Sequence, residues 1–212
     1  MRLPLGMDDV DDVCGRASTT EELRAAAAQL TGWAEEPRPD DEISPAALMV
    51  TAMELLSRAG DHEAAVETAR RAVGAEGPVP PDARCYLHRA LLDAHDVDGA
   101  HRLADQLRRE HPSDGDVYLF VAESYELADD ARQAHRWATM GLLHLAARIE
   151  LGDDAAAHGA ADLARARYRV RRRLDLPMDE YDWTVERARR DAEGLRPPLP
   201  RAAAEERGEV TA

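Results

Sequence analysis

Eight histidines are the side chains in this chain best able to hold a metal or move a proton, so their spacing is read first. None forms HxxxH or HExxH, the patterns that set two imidazoles on one helical face with or without a carboxylate base. His95 and His101 stand six residues apart across a predicted turn, and His135 and His144 stand nine apart. Such histidines read as partly buried helix positions. Cys14 and Cys85 lie far apart and belong to no CxxC pair, and neither a GxSxG nor a glycine-rich phosphate loop is present. Asp8, Asp9, Asp11 and Asp12, like Asp40, Asp41 and Glu42, read as solvated loops rather than a paired acid and base. No catalytic residue, metal ligand or cofactor is expected.

One stretch breaks the acidic field. RARYRVRRR, residues 165–173, carries six arginines in nine residues. On a helix, Leu163, Ala166, Val170 and Leu174 make a buried stripe and the arginines fan over the other faces. Arg165, Arg169, Arg172 and Arg173 would form an anion-binding site for nucleic acid or another anionic partner. The favoured reading is that they pair with the acidic surface of the segments before them.

Composition dictates which elements can position these residues. The net charge of -15 favours solubility and opposes general nucleic-acid binding. All 27 basic residues are Arg, which reflects a GC-rich coding sequence rather than a mechanism. Aromatics are only 4% of the chain, with a single Phe, so the core must be built from Leu, Val and above all Ala. That composition suits close helix–helix contact and not a sheet. The start, MRLPLGMDDVDDV, lacks the apolar run of a signal peptide, no stretch approaches a membrane span, and unpaired cysteines fit a reducing compartment. A cytoplasmic protein is expected.

The helices follow a repeat. Ala65, Ala100 and Ala134 fall in one column when GDHEAAVETARRAV, HDVDGAHRLADQLR and DDARQAHRWATMGL are aligned. Ala69, Ala104 and Ala138 fall in the next column, and Ala72, Leu107 and Gly141 in a third. Positions i, i+4 and i+7 form a stripe along one helical face, and small residues there let another backbone come close. Before each stripe lies a second amphipathic segment: residues 47–59, 83–94 and 117–128. Gly60, His95-Asp96 and Asp129-Asp130 mark the turns between the members of each pair.

Over residues 46–146 this period of about 34 residues resembles the tetratricopeptide (TPR) repeat family. The third repeat matches best through Tyr118, Val121-Ala122, Tyr125, Ala134 and Gly141. The second supplies Leu87, Leu91, Ala100 and Pro112 but places His88 where a small residue is expected; the first supplies Leu56, Ala65 and Ala72. RYRVRRRLDLP together with the third repeat is also similar to bacterial TPR proteins carrying a Cys-rich SEC-C motif, although that motif is missing here. The resemblance implies an all-α fold: a short right-handed α-solenoid of about three TPR-like helical hairpins with flanking capping helices.

The expected organisation is an acidic segment at 1–18, a capping helix at 19–34, and repeats at 46–79, 81–114 and 115–150. Capping helices follow at 151–194, then a disordered tail at 195–212 whose PPLP could meet a polyproline-reading groove. The family uses its concave face to bind extended peptides or partner helices. Carried onto this chain, that face would present Val50, Glu54 and Arg58 from repeat one, and Asp82, Cys85, Tyr86, Arg89 and Asp93 from repeat two. Repeat three would add Asp116, Leu119, Phe120, Glu123 and Glu126. Val50, Glu54, Tyr86, Asp116 and Phe120 replace the family's carboxylate-clamp residues, so that clamp is absent. The expected role is a non-catalytic adaptor for a basic or amphipathic protein segment, and the alternative is a nucleic-acid-associated regulator using the Arg-rich helix.

Overall fold

A computed structural model describes residues 3–154 and 156–193. The tail at 195–212 therefore lies outside the described residues. Among them the chain forms ten helices and no strand: α1 Met7–Arg16, α2 Thr20–Glu35, α3 Pro45–Arg58, α4 His62–Gly74, α5 Ala83–Asp93, α6 Val97–Glu110, α7 Gly115–Leu127, α8 Ala131–Glu150, α9 Ala156–Arg173 and α10 Glu180–Ala192.

Much of the acidity sits where helices begin. Asp82, Asp96, Asp114, Asp130 and Asp179 are N-caps whose carboxylates accept backbone N–H bonds from the first turns of α5, α6, α7, α8 and α10. A carboxylate there satisfies an orphan donor and faces the positive end of the helix dipole. Thr19 caps α2 reciprocally: Glu22 N–H donates to Thr19 Oγ1 at 3.3 Å, and Thr19 N–H donates to Glu22 Oε2 at 2.9 Å. Asp8, Asp9, Asp11 and Asp12, expected in a loop, instead lie on α1, which buries Val10. Leu5 N–H donates to Asp41 Oδ1 at 2.8 Å, tying the start of the chain to the segment between α2 and α3.

Within the three central pairs, the turns share one geometry. Gly60, His95 and Asp129 have φ of 75°, 61° and 67°. A left-handed residue after a helix lets the chain reverse in a few residues, and the same step three times gives three similar hairpins. α3 packs on α4, α5 on α6 and α7 on α8, while α3, α5, α7 and α9 touch in succession. α2 packs on α3, and α10 packs on α9.

Ala65, Ala69, Ala72, Ala100, Ala104, Leu107, Ala134 and Ala138 are all buried. Gly141 shows why the stripe needs small residues: a Cβ there would stand 2.5 Å from Tyr118 Cβ and 2.9 Å from Leu163 Cδ1. The apolar interior divides into two clusters. One is built on α1 to α3 around Leu30 and Leu48, the other runs from Met53 through α5 and α7 to α9, and Leu56 and Tyr86 pack against both.

Candidate functional site

Where the two clusters meet, α3, α5 and α7 enclose a recess of about 440 Å³. Its lining includes Glu54 and Arg58 from α3, Tyr86, Arg89 and Asp93 from α5, and Phe120 from α7. These positions follow one another at helical spacings of three or four, so each helix offers a single face. Tyr86 and Phe120 pack with ring centroids 4.7 Å apart and planes inclined by 59°, a tilted aromatic pair of the favoured kind. The Tyr86 hydroxyl donates to the Pro80 carbonyl at 2.9 Å, which fixes its ring.

Electrostatics divide the recess unevenly. Arg89 Nε donates to Asp93 Oδ1 at 2.9 Å, one turn along the same helix, so this pair neutralises itself. Glu54 and Arg58 make no ion pair among the described residues. Glu54 is exposed, and its partial desolvation by the recess walls raises its carboxyl pKa; Arg58 and Arg89 pull in the opposite direction. Burial likewise raises the Tyr86 hydroxyl, with the Glu54 charge adding to it. The site thus offers two stacked rings, one under-hydrated carboxylate and one guanidinium free to pair.

Seven other positions expected on the partner face do different work. Val50 and Cys85 are buried, and burial pushes the Cys85 thiol up to about 12, so neither side chain lines a surface. Asp82 caps α5 and binds Arg84, whose Nη2 lies 2.7 Å from Asp82 Oδ2. Asp116 lies beside a separate recess with Asp114 and Asp162, and burial together with those charges raises its pKa. Leu119 is half-buried against the larger core. Glu123 and Glu126 face α9: Arg169 Nη2 stands 3.5 Å from Glu123 Oε1 and 2.8 Å from Glu126 Oε2. The acidic surface inferred for the third pair is therefore already charge-paired with a helix of the same chain, although Glu123 stays exposed.

The Arg-rich helix is correspondingly occupied. Arg165 pairs with Asp162, Arg169 with Glu123 and Glu126, and Arg173 with Asp129. Of the four arginines singled out from sequence, Arg172 alone makes no ion pair among the described residues. Sequence reading missed Arg167 and Arg171, which meet acids of α10, and also Cys14, Thr51, Met53, Leu55 and Ser57, which complete the recess lining. Arg167 and Arg171 stand four residues apart, while Asp179, Asp182 and Glu186 follow at three and four. Those matched spacings were the available signal. Cys14 gave none, because its nearness to α3 is a long-range contact.

Among the described residues, no group of three or more His, Cys, Asp or Glu is arranged to hold a metal ion, and no helix is long and apolar enough to cross a membrane. No family model, curated protein or solved structure matches the chain.

Proposed function

We propose that this chain is a non-catalytic protein–protein interaction module, a TPR-like α-solenoid that takes a short amphipathic segment of a partner into the recess between α3, α5 and α7. The observation that carries this reading is the convergence of Glu54, Arg58, Tyr86, Arg89, Asp93 and Phe120 around one concavity. The repeated left-handed turn and the succession of α3, α5, α7 and α9 along one side support the solenoid. An apolar or aromatic anchor would pack on the Tyr86–Phe120 pair, and a single basic residue would restore a counter-charge to Glu54. With Arg89 and Asp93 already paired, and Glu123 and Glu126 held by Arg169, the partner need not be strongly basic; an amphipathic one fits better.

Pull-down from native lysate with nuclease present, followed by binding kinetics on the recovered partner, tests this. Phe120→Ala is expected to speed dissociation at least about tenfold, the equivalent of about 1.4 kcal/mol. Glu54→Gln is expected to slow association and to flatten its dependence on salt. Glu123 and Glu126 are unsuitable for this test, because reversing them would also break their ion pairs with Arg169 of α9. Recess variants that bind like the wild-type chain would end the proposal.

A further inference from the structure

The last helix is attached in an unusual way for a helix that closes a fold. Its buried side chains are Asp182 and Glu186, both acids. Trp183 on the same helix is 50% exposed, and Tyr181 is only partly buried, lying under Arg167 with 5.7 Å from ring centroid to guanidinium carbon. Polar contacts do the attaching. Arg167, whose side chain is 8% exposed, places Nη2 2.5 Å from Asp179 Oδ2 and Nη1 3.3 Å from Asp182 Oδ1. Arg171 Nε lies 2.8 Å from Asp182 Oδ2, and the Tyr168 hydroxyl donates to Glu186 Oε2 at 2.8 Å. The charged ends of Arg167 and Arg171 have no apolar alternative to these partners; besides the acids, Arg167 Nε donates to Thr139 Oγ1 at 3.1 Å and Arg171 reaches the Pro177 carbonyl.

Two consequences follow from that chemistry. A helix joined mainly by charge and hydrogen bonds loses little apolar burial when it leaves, since its acids and the α9 guanidiniums can be rehydrated. The surface it leaves has a definite pattern: two guanidiniums one turn apart and a phenol, already shaped to accept a carboxylate at a helix N-cap and two more three and seven residues on. The short connection through Leu174, Asp175 and Pro177 turns at Asp175, with φ 53°, and is held by Leu174 against the core and by Arg171 at the Pro177 carbonyl, so α10 can leave from Pro177 onward.

We propose that the Arg167–Tyr168–Arg171 face of α9 is a docking surface for an acidic amphipathic helix of another protein, and that α10 covers it in cis as a displaceable stand-in. This surface is separate from the recess, and the inference does not depend on the function of that recess. The recognised feature is a helix start, with one carboxylate at the N-cap and two more on the helix three and seven residues on. A carboxylate helix is favoured over a phosphate-rich partner because the neighbouring arginines Arg165, Arg169 and Arg173 are already paired with acids, leaving no extended basic surface.

The test uses the full chain carrying Asp182→Asn and Glu186→Gln, with a fluorescein-labelled peptide of residues 178–193 as probe. Amide hydrogen exchange over 180–192 is expected to quicken at least tenfold in the variant, with α2 to α8 unchanged. The peptide is expected to bind the variant at least tenfold more tightly than the wild-type chain, and to lose that gain when it carries the same two amide substitutions. Should the double variant lose protection in α2 to α8, Glu186→Gln alone offers a milder release that leaves the α9 surface intact and is read by the same two measurements. Unchanged exchange in α10 would overturn the proposal, as would a freed α10 without peptide binding. Equal peptide binding by the wild-type chain would overturn it too, since the surface would then not be covered.

Discussion

His88 occupies a position that the repeat pattern reserves for a small residue, and it is fully enclosed between α5 and α7. Its ring meets Tyr125 edge-on at 4.7 Å, and neither nitrogen has a hydrogen-bond partner. Burial, aided by the charges of His101 and Arg89, drives its pKa from 6.5 down to about 4. A depressed histidine is neutral in the fold, while the unfolded chain takes up a proton below about pH 6.5. The stability that rests on a neutral His88 is thus fully present above that pH and is lost progressively as pH falls through about 4. His135 is shifted in the same direction, so the informative comparison is between the wild-type chain and a single variant. His88→Leu is expected to flatten the acid limb between pH 6.5 and 4 by roughly 3 kcal/mol in urea unfolding. At neutral pH it should cost little, because it removes an unsatisfied polar group. An unaltered acid limb would place the sensitivity elsewhere.

At the scale of elements, the stripe of small residues makes the sharpest prediction. Ala134 is fully buried where α8 crosses its neighbours, and Ala134→Leu is expected to cost about 1–3 kcal/mol, read as a lower midpoint in denaturant with helix content retained. The same stripe explains why the helices were legible. Columns at i, i+4 and i+7 report the face on which backbones approach, and the turns at Gly60, His95 and Asp129 separated them within one or two residues of the observed ends. The end of the third repeat at residue 150 was legible too, because the next alanine spacing, Ala157, Ala161 and Ala164, comes too soon after Ala134 and Ala138 for a full repeat, and α8 does end at Glu150. α1 was not: four aspartates mask a helix whose one buried residue is Val10, too little periodicity to read. The site was half legible. Glu54, Arg58, Tyr86, Arg89, Asp93 and Phe120 fell on the right faces, but nothing local says that Glu123 and Glu126 are spoken for by an arginine more than forty residues away. Nor does the pattern separate a concave surface from Cys85, which shares its face yet faces inward.

Across the whole molecule, the division of the interior into two clusters predicts uneven cooperativity. Leu30 is wholly buried in the cluster of α1 to α3, and Leu30→Ala is expected to remove about 2–5 kcal/mol. If the clusters open separately, native-state hydrogen exchange should quicken in α1 and α2 and stay slow in α7 to α9. A uniform acceleration along the chain would mean one cooperative unit. Leu56 and Tyr86, which pack against both clusters, are the side chains through which any ligand in the recess would brace one half against the other.

The burial of Arg167 also has a history in time. Asp179 and Asp182 follow it by 12 and 15 residues, so a ribosome working at about 5–20 residues per second adds its counter-charges roughly half a second to three seconds later. Until then the newest helix of the nascent chain carries two guanidiniums without the acids that later enclose them. For that interval α9 can settle only by its apolar face, through Leu163, Ala166 and Val170, and the arrival of α10 completes the pairing of Arg167 and Arg171.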